Sequence, residues 1–256
     1  MAAVRVAVIR APGINCDRET LHAWRLVGAE PQLVHVRALI EQPSLLDRVQ
    51  VVTVPGGFSF GDDLGAGKIL ADQLRRRLGD SLRSCVERGG LLLGICNGFQ
   101  VLVKAGLLPG GDWGCDRVSI TTNASARFED RWVHMRPVAD HCAVLRGIRS
   151  LYLPVAHGEG RVVTANEASR QRLHTGGHVA LRYVDESGQA ADYPANPNGS
   201  VDDIAALTDE TGRAFGLMPH PERHVDRTHH PLWTRRPADL EPDGLALFRN
   251  AVAHFN

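Results

Sequence analysis

One apolar stretch limits the possible folds of this chain more than any other. Residues 90–95 read Gly-Leu-Leu-Leu-Gly-Ile, the run ends at Cys96, and a helical pattern begins at once with Asn97. An apolar run that breaks at Gly-x-Cys-x-Gly before a helix is typical of a buried strand, a sharp turn and a helix N-terminus. The pattern predicts that Cys96 is a nucleophile, because a helix N-terminus favours the thiolate form. The alternative is a tight turn with a buried, unreactive cysteine.

The first half of the chain alternates between two kinds of pattern. Apolar runs at 4–9, 33–36 and 49–54 predict strands, and the patterns at 18–29 and 68–88 predict helices. Such alternation favours a doubly wound, mostly parallel sheet flanked by helices, whose ligands bind at the carboxyl ends of the strands. Three unusual loops then meet at one edge of the sheet. They are residues 11–17, 55–67 and 94–98.

The second half of the chain favours an added antiparallel region. We expect strands at 118–122 and 132–138, paired with each other, and further strands at 151–156 and 179–184. The runs 204–208 and 214–218 flank Asp-Glu-Thr-Gly, which is a hairpin signal. The Pro-rich residues 228–242 indicate an exposed insertion before a final helix at 244–255. With no repeat or linker, the sequence predicts a single α/β domain over 1–256.

Composition excludes several classes of protein. The formal net charge is zero, so no basic or acidic excess points to nucleic acid or to a membrane surface. Arg5 and Arg10 interrupt the N-terminal apolar run, which favours a core strand over a signal peptide. The five cysteines contain no Cys-x-x-Cys pair, which indicates reduced thiols, and we expect the protein in the cytoplasm. Apart from Cys96 they lie in no motif, and we expect them to be structural.

A cysteine nucleophile needs a base and a group that orients the base. His220 follows a predicted strand, lies between two prolines and precedes Glu222 by two residues. In an extended segment these two side chains point to the same side. A carboxylate beside an imidazole selects its tautomer and stabilises the imidazolium. Cys96, His220 and Glu222 therefore form a candidate catalytic triad; alternatively, the histidine segment is only a rigid surface turn.

The sequence also contains candidate oxyanion donors and candidate metal ligands. The backbone amides of Asn97 and Gly57 are suited to hold a developing oxyanion, because each follows a predicted strand end. The histidine-rich segment has a rival interpretation as a metal cluster, but its spacing matches no zinc motif, so we expect no metal in this chain. That cluster would consist of His220, Glu222, His224, His229 and His230.

Taken together, these motifs resemble the class I (triad) glutamine amidotransferases. Residues 94–100 resemble the nucleophile motif of that family, and residues 219–222 resemble its His-x-Glu motif. Six segments also resemble one branch, the glutaminase subunits of phosphoribosylformylglycinamidine synthases, and together they cover nearly the whole chain. The six are residues 12–17, 55–62, 156–161, 181–185, 196–200 and 219–223.

The resemblance implies a flavodoxin-like fold, a reaction and a set of partners. The chain would hydrolyse L-glutamine through a Cys96 thioester and pass ammonia to a large synthetase subunit, with a small bridging subunit, in purine (IMP) biosynthesis. The synthetase would convert formylglycinamide ribonucleotide to formylglycinamidine ribonucleotide. This chain has no Walker phosphate loop, so ATP and Mg²⁺ are expected on the partner and no cofactor is expected here.

The resemblance also assigns further residues. Gln100 would lie near the bound glutamine, and His157 and Glu159 near the glutamine pocket or the partner interface. The chain departs from the family pattern at Gly65, where a larger residue is expected, and in the length of 228–242. Neither departure affects the triad.

Three other functions remain open from the sequence. One is an amidotransferase of the same class that serves a GMP, CTP or anthranilate synthetase. Another is a cysteine hydrolase or chaperone-like protein of similar fold, and a third is an inactive scaffold. Residues 157–160 and 196–199 argue against the first, and the His-x-Glu motif argues against the second. The intact Cys96, His220 and Glu222 argue against the third.

Overall fold

The computed structural model describes residues 3–111, 117–190 and 192–256. Cys115 lies outside these residues. Eleven strands are present in the described part of the chain: β1 Arg5–Arg10, β2 Glu30–His35, β3 Val51–Val54, β4 Leu91–Ile95, β5 Val118–Thr121, β6 Glu129–Pro137, β7 Leu151–His157, β8 Arg161–Thr164, β9 Val179–Val184, β10 Ile204–Thr208 and β11 Ala214–Leu217. The α-helices described are α1 Asp17–Leu26, α2 Val36–Glu41, α3 Lys68–Arg77, α4 Gly79–Glu87, α5 Asn97–Lys104, α6 Glu167–Thr175 and α7 Asp243–Ala253.

Nine of these strands form one central sheet in the order β2-β1-β3-β4-β11-β10-β9-β6-β7. The five strands from β2 to β11 are parallel, and the other pairs in the sheet are antiparallel. The predicted fold class, a mostly parallel sheet with an antiparallel extension, is confirmed. The strands β3 and β4 are buried at every position because helices cover both faces of this part of the sheet.

The sheet topology brings several strand ends to one edge. The parallel strands β1, β3, β4 and β11 all end there. Following the antiparallel pairs outward, β7 runs in the same direction as β4, so His157 at its carboxyl end reaches that edge too. The ends of β7 and β11 therefore lie at the same edge as the three loops predicted to meet there.

Two predictions about individual elements were wrong. The expected single helix over 68–88 is two helices that meet at Leu78, because Gly79 is a weak helix former and the bend buries both Leu78 and Leu82. The expected pair 118–122 with 132–138 does not form. Instead β5 pairs with β8, and β6 pairs with β7 and β9.

The altered pairing is accompanied by long-range contacts of Asn123, which follows β5, with residues more than thirty positions further along the chain. Its backbone N–H donates to the carbonyl of Gly158, and its side-chain Nδ2 donates to the carbonyl of His157 at 2.8 Å. Its Oδ1 accepts from the amide of Gly160. These bonds attach the chain after β5 to the turn after β7 and keep it away from β6.

The predicted exposed insertion is largely exposed, with one buried anchor. Most residues of 228–242 face solvent, and the segment contains short 3₁₀ turns. His230 is buried and lies 5.6 Å from the ring of Trp132 and 5.3 Å from the ring of Tyr152, measured between ring centroids. Across the described ranges, no helix combines the length and apolar character that a membrane span requires.

Candidate active site

Cys96 occupies a strained turn between β4 and α5. It has φ 51° and ψ −107° and is the N-cap residue of α5. A positive φ is uncommon for a residue with a side chain and is found where the surrounding structure enforces it. The thiol therefore stands at the helix N-terminus, which favours negative charge. This is the geometry that the Gly-x-Cys-x-Gly pattern predicts.

The two glycines of the motif allow close packing, and neither of them has a positive φ. A Cβ on Gly98 would lie 1.8 Å from the carbonyl oxygen of Val54, and a Cβ on Gly94 would lie 2.8 Å from that of Gly98. The absence of these side chains lets α5 press against β4 and the end of β3. As a result, the turn at Cys96 lies directly beside the loop that begins at Pro55.

His220 and Glu222 form a buried pair at the end of β11. The backbone N–H of His220 donates to the carbonyl of Pro154 in β7, which holds the segment against that strand. Nδ1 of His220 lies 2.7 Å from Oε1 of Glu222, and both side chains are almost fully buried. Because the Nδ1 proton points at the carboxylate, Nε2 is the ring nitrogen that can exchange a proton with a substrate. It has no hydrogen-bond partner of ordinary geometry among the described residues.

The surroundings of His220 favour its charged form. Burial alone disfavours an imidazolium, but the carboxylate of Glu222, followed by the thiols of Cys96 and Cys16, outweighs burial and raises the pKa of His220 well above its ordinary value. A protonated imidazole beside a thiol can give a proton to a leaving group and take one back from water.

Gly56 shows how closely the side chains converge. A Cβ at this position would lie 2.9 Å from Cε1 of His220, 3.2 Å from Sγ of Cys16 and 3.4 Å from Cβ of Cys96. Three side chains from three strand ends thus pack over one glycine. The structure brings Cys96, His220 and Glu222 together as the sequence predicts, and their catalytic roles remain a prediction.

Two backbone amides point to a place for an oxyanion. Asn97 is the first residue of α5, so its N–H has no acceptor inside the helix. Gly57 has φ 136°, and its N–H donates to no acceptor in the parts of the chain that the structure describes. Both residues flank the turn at Cys96, which agrees with the predicted oxyanion role without testing it.

Gln100 and Asn97 belong to a buried polar network under the pocket. Nδ2 of Asn97 donates to Oε1 of Gln100 at 2.9 Å and to Oδ1 of Asp62 at 3.2 Å. Oδ1 of Asn97 accepts from the amide of Ser59. Nε2 of Gln100 donates to the carbonyl of Glu159. The network connects α5 to the loop after β3 and to the turn after β7.

His157 and Glu159 both line the cavity beside Cys96. Nδ1 of His157 faces Oδ1 of Asn123 at 3.1 Å, and Nε2 is buried with no partner among the described residues. Burial and then the charge of His220 lower the pKa of His157 to about 3, so the ring is neutral. A Cβ on Gly160 would lie 2.3 Å from this ring, so glycine is required there.

Glu159 lies at the boundary of the site. Its Oε2 is 3.8 Å from Nζ of Lys104 and accepts from the amide of Ala66 at 3.4 Å. It lines both the cavity at Cys96 and a neighbouring one between α3 and β5. The sequence left open whether these two residues serve the pocket or a partner interface; both line the cavity, and their role stays a prediction.

The cavity at the strand ends has a volume of about 320 Å³. Pockets of this size hold small molecules. Acidic and basic groups both face it, which suits a zwitterionic amino acid. The lining residues that carry ionisable or thiol groups are Cys16, Asp62, Cys96, His157, Glu159, His220 and Arg223.

Sequence reasoning missed Cys16 and Arg223. We expected Cys16 to be structural, yet it is buried in this cavity, and burial raises the pKa of its thiol to about 11. Nη2 of Arg223 donates to its sulfur at 3.2 Å. The available signal was position, because Cys16 lies in one of the three loops predicted to meet at this edge.

The rival metal cluster in the histidine-rich segment does not assemble. His224 faces the carbonyl of Tyr152, and Nδ1 of His230 accepts from the amide of Leu232. Nδ1 of His229 accepts from the amide of Asp226. Among the described residues, the donor group with metal-ligand spacing joins His220 and Glu222 to Cys16 and Glu19 instead.

A comparison with known protein families identifies the family of this chain. The family of CobB/CobQ-like glutamine amidotransferase domains matches residues 3–255. This chain belongs to that family of glutamine amidotransferases. The resemblance seen in the sequence motifs is thereby confirmed.

Two similar proteins share one name. The phosphoribosylformylglycinamidine synthase subunit PurQ of Dehalococcoides mccartyi is 45% identical over 255 residues, which cover 98% of each chain. The PurQ subunit of Methanococcus maripaludis strain S2 is 40% identical over 267 residues, covering 98% of this chain and 97% of the relative.

Solved structures agree with the fold of this amidotransferase. A chain in the structure of PurLQS from Thermotoga maritima matches over the full length of both chains, with a TM-score of 0.76 and 31% identity. A glutamine amidotransferase from the same organism covers 99% of this chain and 97% of its own, with a TM-score of 0.56. At 15% identity, that second likeness shows the fold alone.

Proposed function

We propose that this chain is the glutaminase subunit of a phosphoribosylformylglycinamidine synthase and supplies ammonia for purine biosynthesis. The observation that carries the chemistry is the convergence of Cys96 with the buried His220–Glu222 pair at one small cavity. The relatives that match over nearly all of both chains supply the identity of the synthetase.

The first half of the reaction forms a thioester. The thiolate of Cys96 attacks the side-chain amide carbon of glutamine, and the carbonyl oxygen becomes an oxyanion held by the amides of Asn97 and Gly57. His220 donates its Nε2 proton to the leaving nitrogen. Ammonia departs as the tetrahedral intermediate collapses to a γ-glutamyl thioester on Cys96.

The second half restores the enzyme. Neutral His220 takes a proton from water, and the resulting hydroxide attacks the thioester. The C–S bond breaks, glutamate leaves and the Cys96 thiolate is regenerated beside an imidazolium. Glu222 keeps its position against Nδ1 through both halves, which prevents rotation of the ring and stabilises its positive charge.

The partners we propose are a large synthetase subunit and a small bridging subunit. Ammonia must be kept from solvent, so the partner should cover the mouth of the cavity. Phe58 and Phe128 line that mouth and are about half exposed, and Leu64 nearby is 66% exposed. Exposed apolar side chains grouped at a site entrance are typical of a surface that another subunit covers. ATP and Mg²⁺ would bind on the large subunit.

The two departures from the family pattern lie outside the catalytic contacts. Gly65 has φ 109°, a conformation that favours glycine, and a Cβ there would meet open space. The segment 228–242 packs through His230 against β6 and β7. Both features belong to the outer surface and so bear on partner contacts.

A comparison of the isolated chain with the assembled complex tests the proposal. Alone, the chain should hydrolyse glutamine slowly. Addition of the large and small subunits with ATP and formylglycinamide ribonucleotide should raise glutamine hydrolysis and couple it to formylglycinamidine ribonucleotide formation. Full glutaminase activity of the isolated chain, or activation by a GMP, CTP or anthranilate synthetase instead, would contradict it.

A further inference from the structure

Cys16 is a buried thiol at the active site that the proposed reaction does not use. It is 1% exposed and stands at the N-terminus of α1, in one of the three loops that meet at the strand ends. Its Sγ lies within 4.8 Å of a ring nitrogen of His220. A second thiol so close to the imidazole competes with Cys96 for the proton of the ring, unless its surroundings prevent this.

The two thiols approach the ring of His220 at the same place. Its Cε1, Sγ of Cys16 and Cβ of Cys96 all lie within 3.4 Å of the point that a Cβ on Gly56 would occupy. The titratable groups that face the ring are one carboxylate, the two thiols and one neutral imidazole, namely Glu222, Cys96, Cys16 and His157. The state of Cys16 therefore bears directly on which sulfur exchanges a proton with Nε2.

Cys16 is held as a neutral thiol whose proton and lone pair are both engaged. Burial raises the pKa of the thiol to about 11, so it keeps its proton at neutral pH. Its S–H donates to Oδ1 of Asn15 at 3.3 Å, and the sulfur accepts from Nη2 of Arg223 at 3.2 Å. Sulfur is a weak acceptor, so the bond from the guanidinium leaves it little tendency to accept a second one from Nε2 of His220.

Arg223 connects this sulfur to the segment that carries the imidazole. Its backbone N–H donates to the carbonyl of His220 at 3.2 Å, in the 3₁₀ turn that begins after His220. Its Nε donates to Oε1 of Glu19, in the first turn of α1, at 3.0 Å. The guanidinium presents its donors in a fixed planar fork, so it can hold Glu19 and Cys16 in one geometry. Helix α1 and the turn after His220 are thereby tied together at the floor of the cavity.

We propose that Arg223 is a positioning residue for His220 and acts on it through Cys16. The guanidinium keeps the sulfur of Cys16 occupied and in place, so Nε2 of His220 exchanges its proton with Cys96 and with the substrate. The inference rests on the proposed function, since this choice of partner matters only if Cys96 is the nucleophile. Neither Arg223 nor Cys16 needs to touch glutamine for this role.

A direct contact with glutamine is the rival role for Arg223, because its side chain also lines the cavity and is 35% exposed. The two roles differ in steady-state kinetics. Loss of a substrate-binding contact raises KM and leaves kcat unchanged, whereas a misplaced His220 lowers kcat and leaves KM near the wild-type value. Glutaminase assays of the assembled complex provide both constants.

Variants of the complex separate these roles. Arg223→Met should lower kcat for glutamine hydrolysis by up to about 100-fold, the cost of a displacement of about 1 Å, with KM unchanged. Arg223→Lys keeps the charge but lacks the planar fork, so it should not restore kcat. In a Cys16→Ala background, Arg223→Met should have no further effect, because the sulfur through which it acts is gone.

Arg213→Met is the matched control. This arginine also joins two elements, because its Nε donates to the carbonyl of Val86 at 3.0 Å, but it lies outside the cavity. The variant should keep the wild-type kcat and KM, which would show that loss of a bridging guanidinium does not by itself slow the reaction.

Alkylation of Cys96 by iodoacetamide, followed by peptide mass spectrometry over a pH series, tests the inference without turnover. In Arg223→Met the alkylation profile of Cys96 should shift to higher pH, because Cys16 then accepts from the imidazolium and weakens its pairing with the Cys96 thiolate. Glu19→Gln releases the same bridge from its partly exposed end and should shift the profile in the same direction. It provides the same test should Arg223→Met fail to fold.

The outcomes distinguish this inference from the proposed function. If Cys96 of the wild type reacts no faster than Cys85, which is buried in α4, the proposed function itself is contradicted. A reactive Cys96 with the wild-type pH profile in both Arg223→Met and Glu19→Gln would overturn the inference alone. So would a raised KM with a normal kcat in Arg223→Met, or a further loss of kcat from Arg223→Met in the Cys16→Ala background.

Discussion

Gly98→Ala tests whether the contact between α5 and β3 sets the position of the nucleophile. In the structure the added methyl would lie 1.8 Å from the carbonyl oxygen of Val54, whereas ordinary contact begins near 3.4 Å. The gap must therefore open by about 1.6 Å. Both partners are backbone atoms or attached to backbone, so no side-chain rotation can relieve the overlap, and the start of α5 must move.

The expected damage falls on both catalysis and stability. A shift of about 1 Å in a catalytic group can cost about 100-fold in rate, so we expect the kcat for glutamine hydrolysis to fall by about 100-fold. Overpacking of this kind lowers the free energy of unfolding by about 1–3 kcal/mol, and the higher helix propensity of alanine offsets part of that loss. The melting temperature should fall accordingly.

A matched variant separates the clash from the mere addition of a methyl group. Gly79 also lies in the first turn of a helix, α4, but the nearest atom to its added Cβ is the mobile Nη1 of Arg83 at 3.2 Å. Gly79→Ala should keep normal activity and the same or slightly higher stability. Steady-state glutaminase assays of the assembled complex and thermal denaturation measure both effects. A wild-type kcat in Gly98→Ala would show that the contact between α5 and β3 does not set the position of Cys96.

Two other predictions concern the buried histidines. Glu222→Gln should lower kcat by about 1,000- to 10,000-fold with little change in KM, because the ring loses the carboxylate that orients it and supports its charge, and a normal kcat would contradict the role of Glu222. The folded protein should also lose stability in acid: burial lowers the pKa of His157 to about 3 and of His224 to about 4, so both rings are neutral when folded and take up protons on unfolding. Below about pH 6.5, the ordinary pKa of an unfolded histidine, the free energy of unfolding falls by about 1.4 kcal/mol per pH unit for each ring until the pH reaches the pKa of the folded state. His224→Phe should reduce that slope in denaturant titrations. An unchanged slope would show that His224 is not buried in its neutral form.

Much of the site follows from local sequence. The strand ends, the turn at Cys96 and the side-by-side placement of His220 and Glu222 are all consequences of periodicity and of short motifs. The hairpin over 204–217 was also predicted, and it is what returns His220 to the edge of the sheet beside Cys96. Patterns of this kind act over a few residues and are therefore readable from the chain.

The features that the sequence did not reveal depend on distant contacts. The pairing of β5 with β8 depends on hydrogen bonds between Asn123 and the turn at 157–160. The place of Cys16 beside His220 depends on the path of the loop at 11–17. It also depends on the hydrogen bond from Arg223, which lies more than two hundred residues further along the chain. No local pattern records either contact.

The reconstituted complex with Cys96→Ala tests most directly whether this chain produces the ammonia. Glutamine should no longer support the synthesis of formylglycinamidine ribonucleotide, while added ammonium salts should support it at the wild-type rate. That result would place the defect in ammonia production by this chain and leave the synthetase intact. Glutamine-dependent synthesis at a normal rate in Cys96→Ala would show that Cys96 is not the nucleophile.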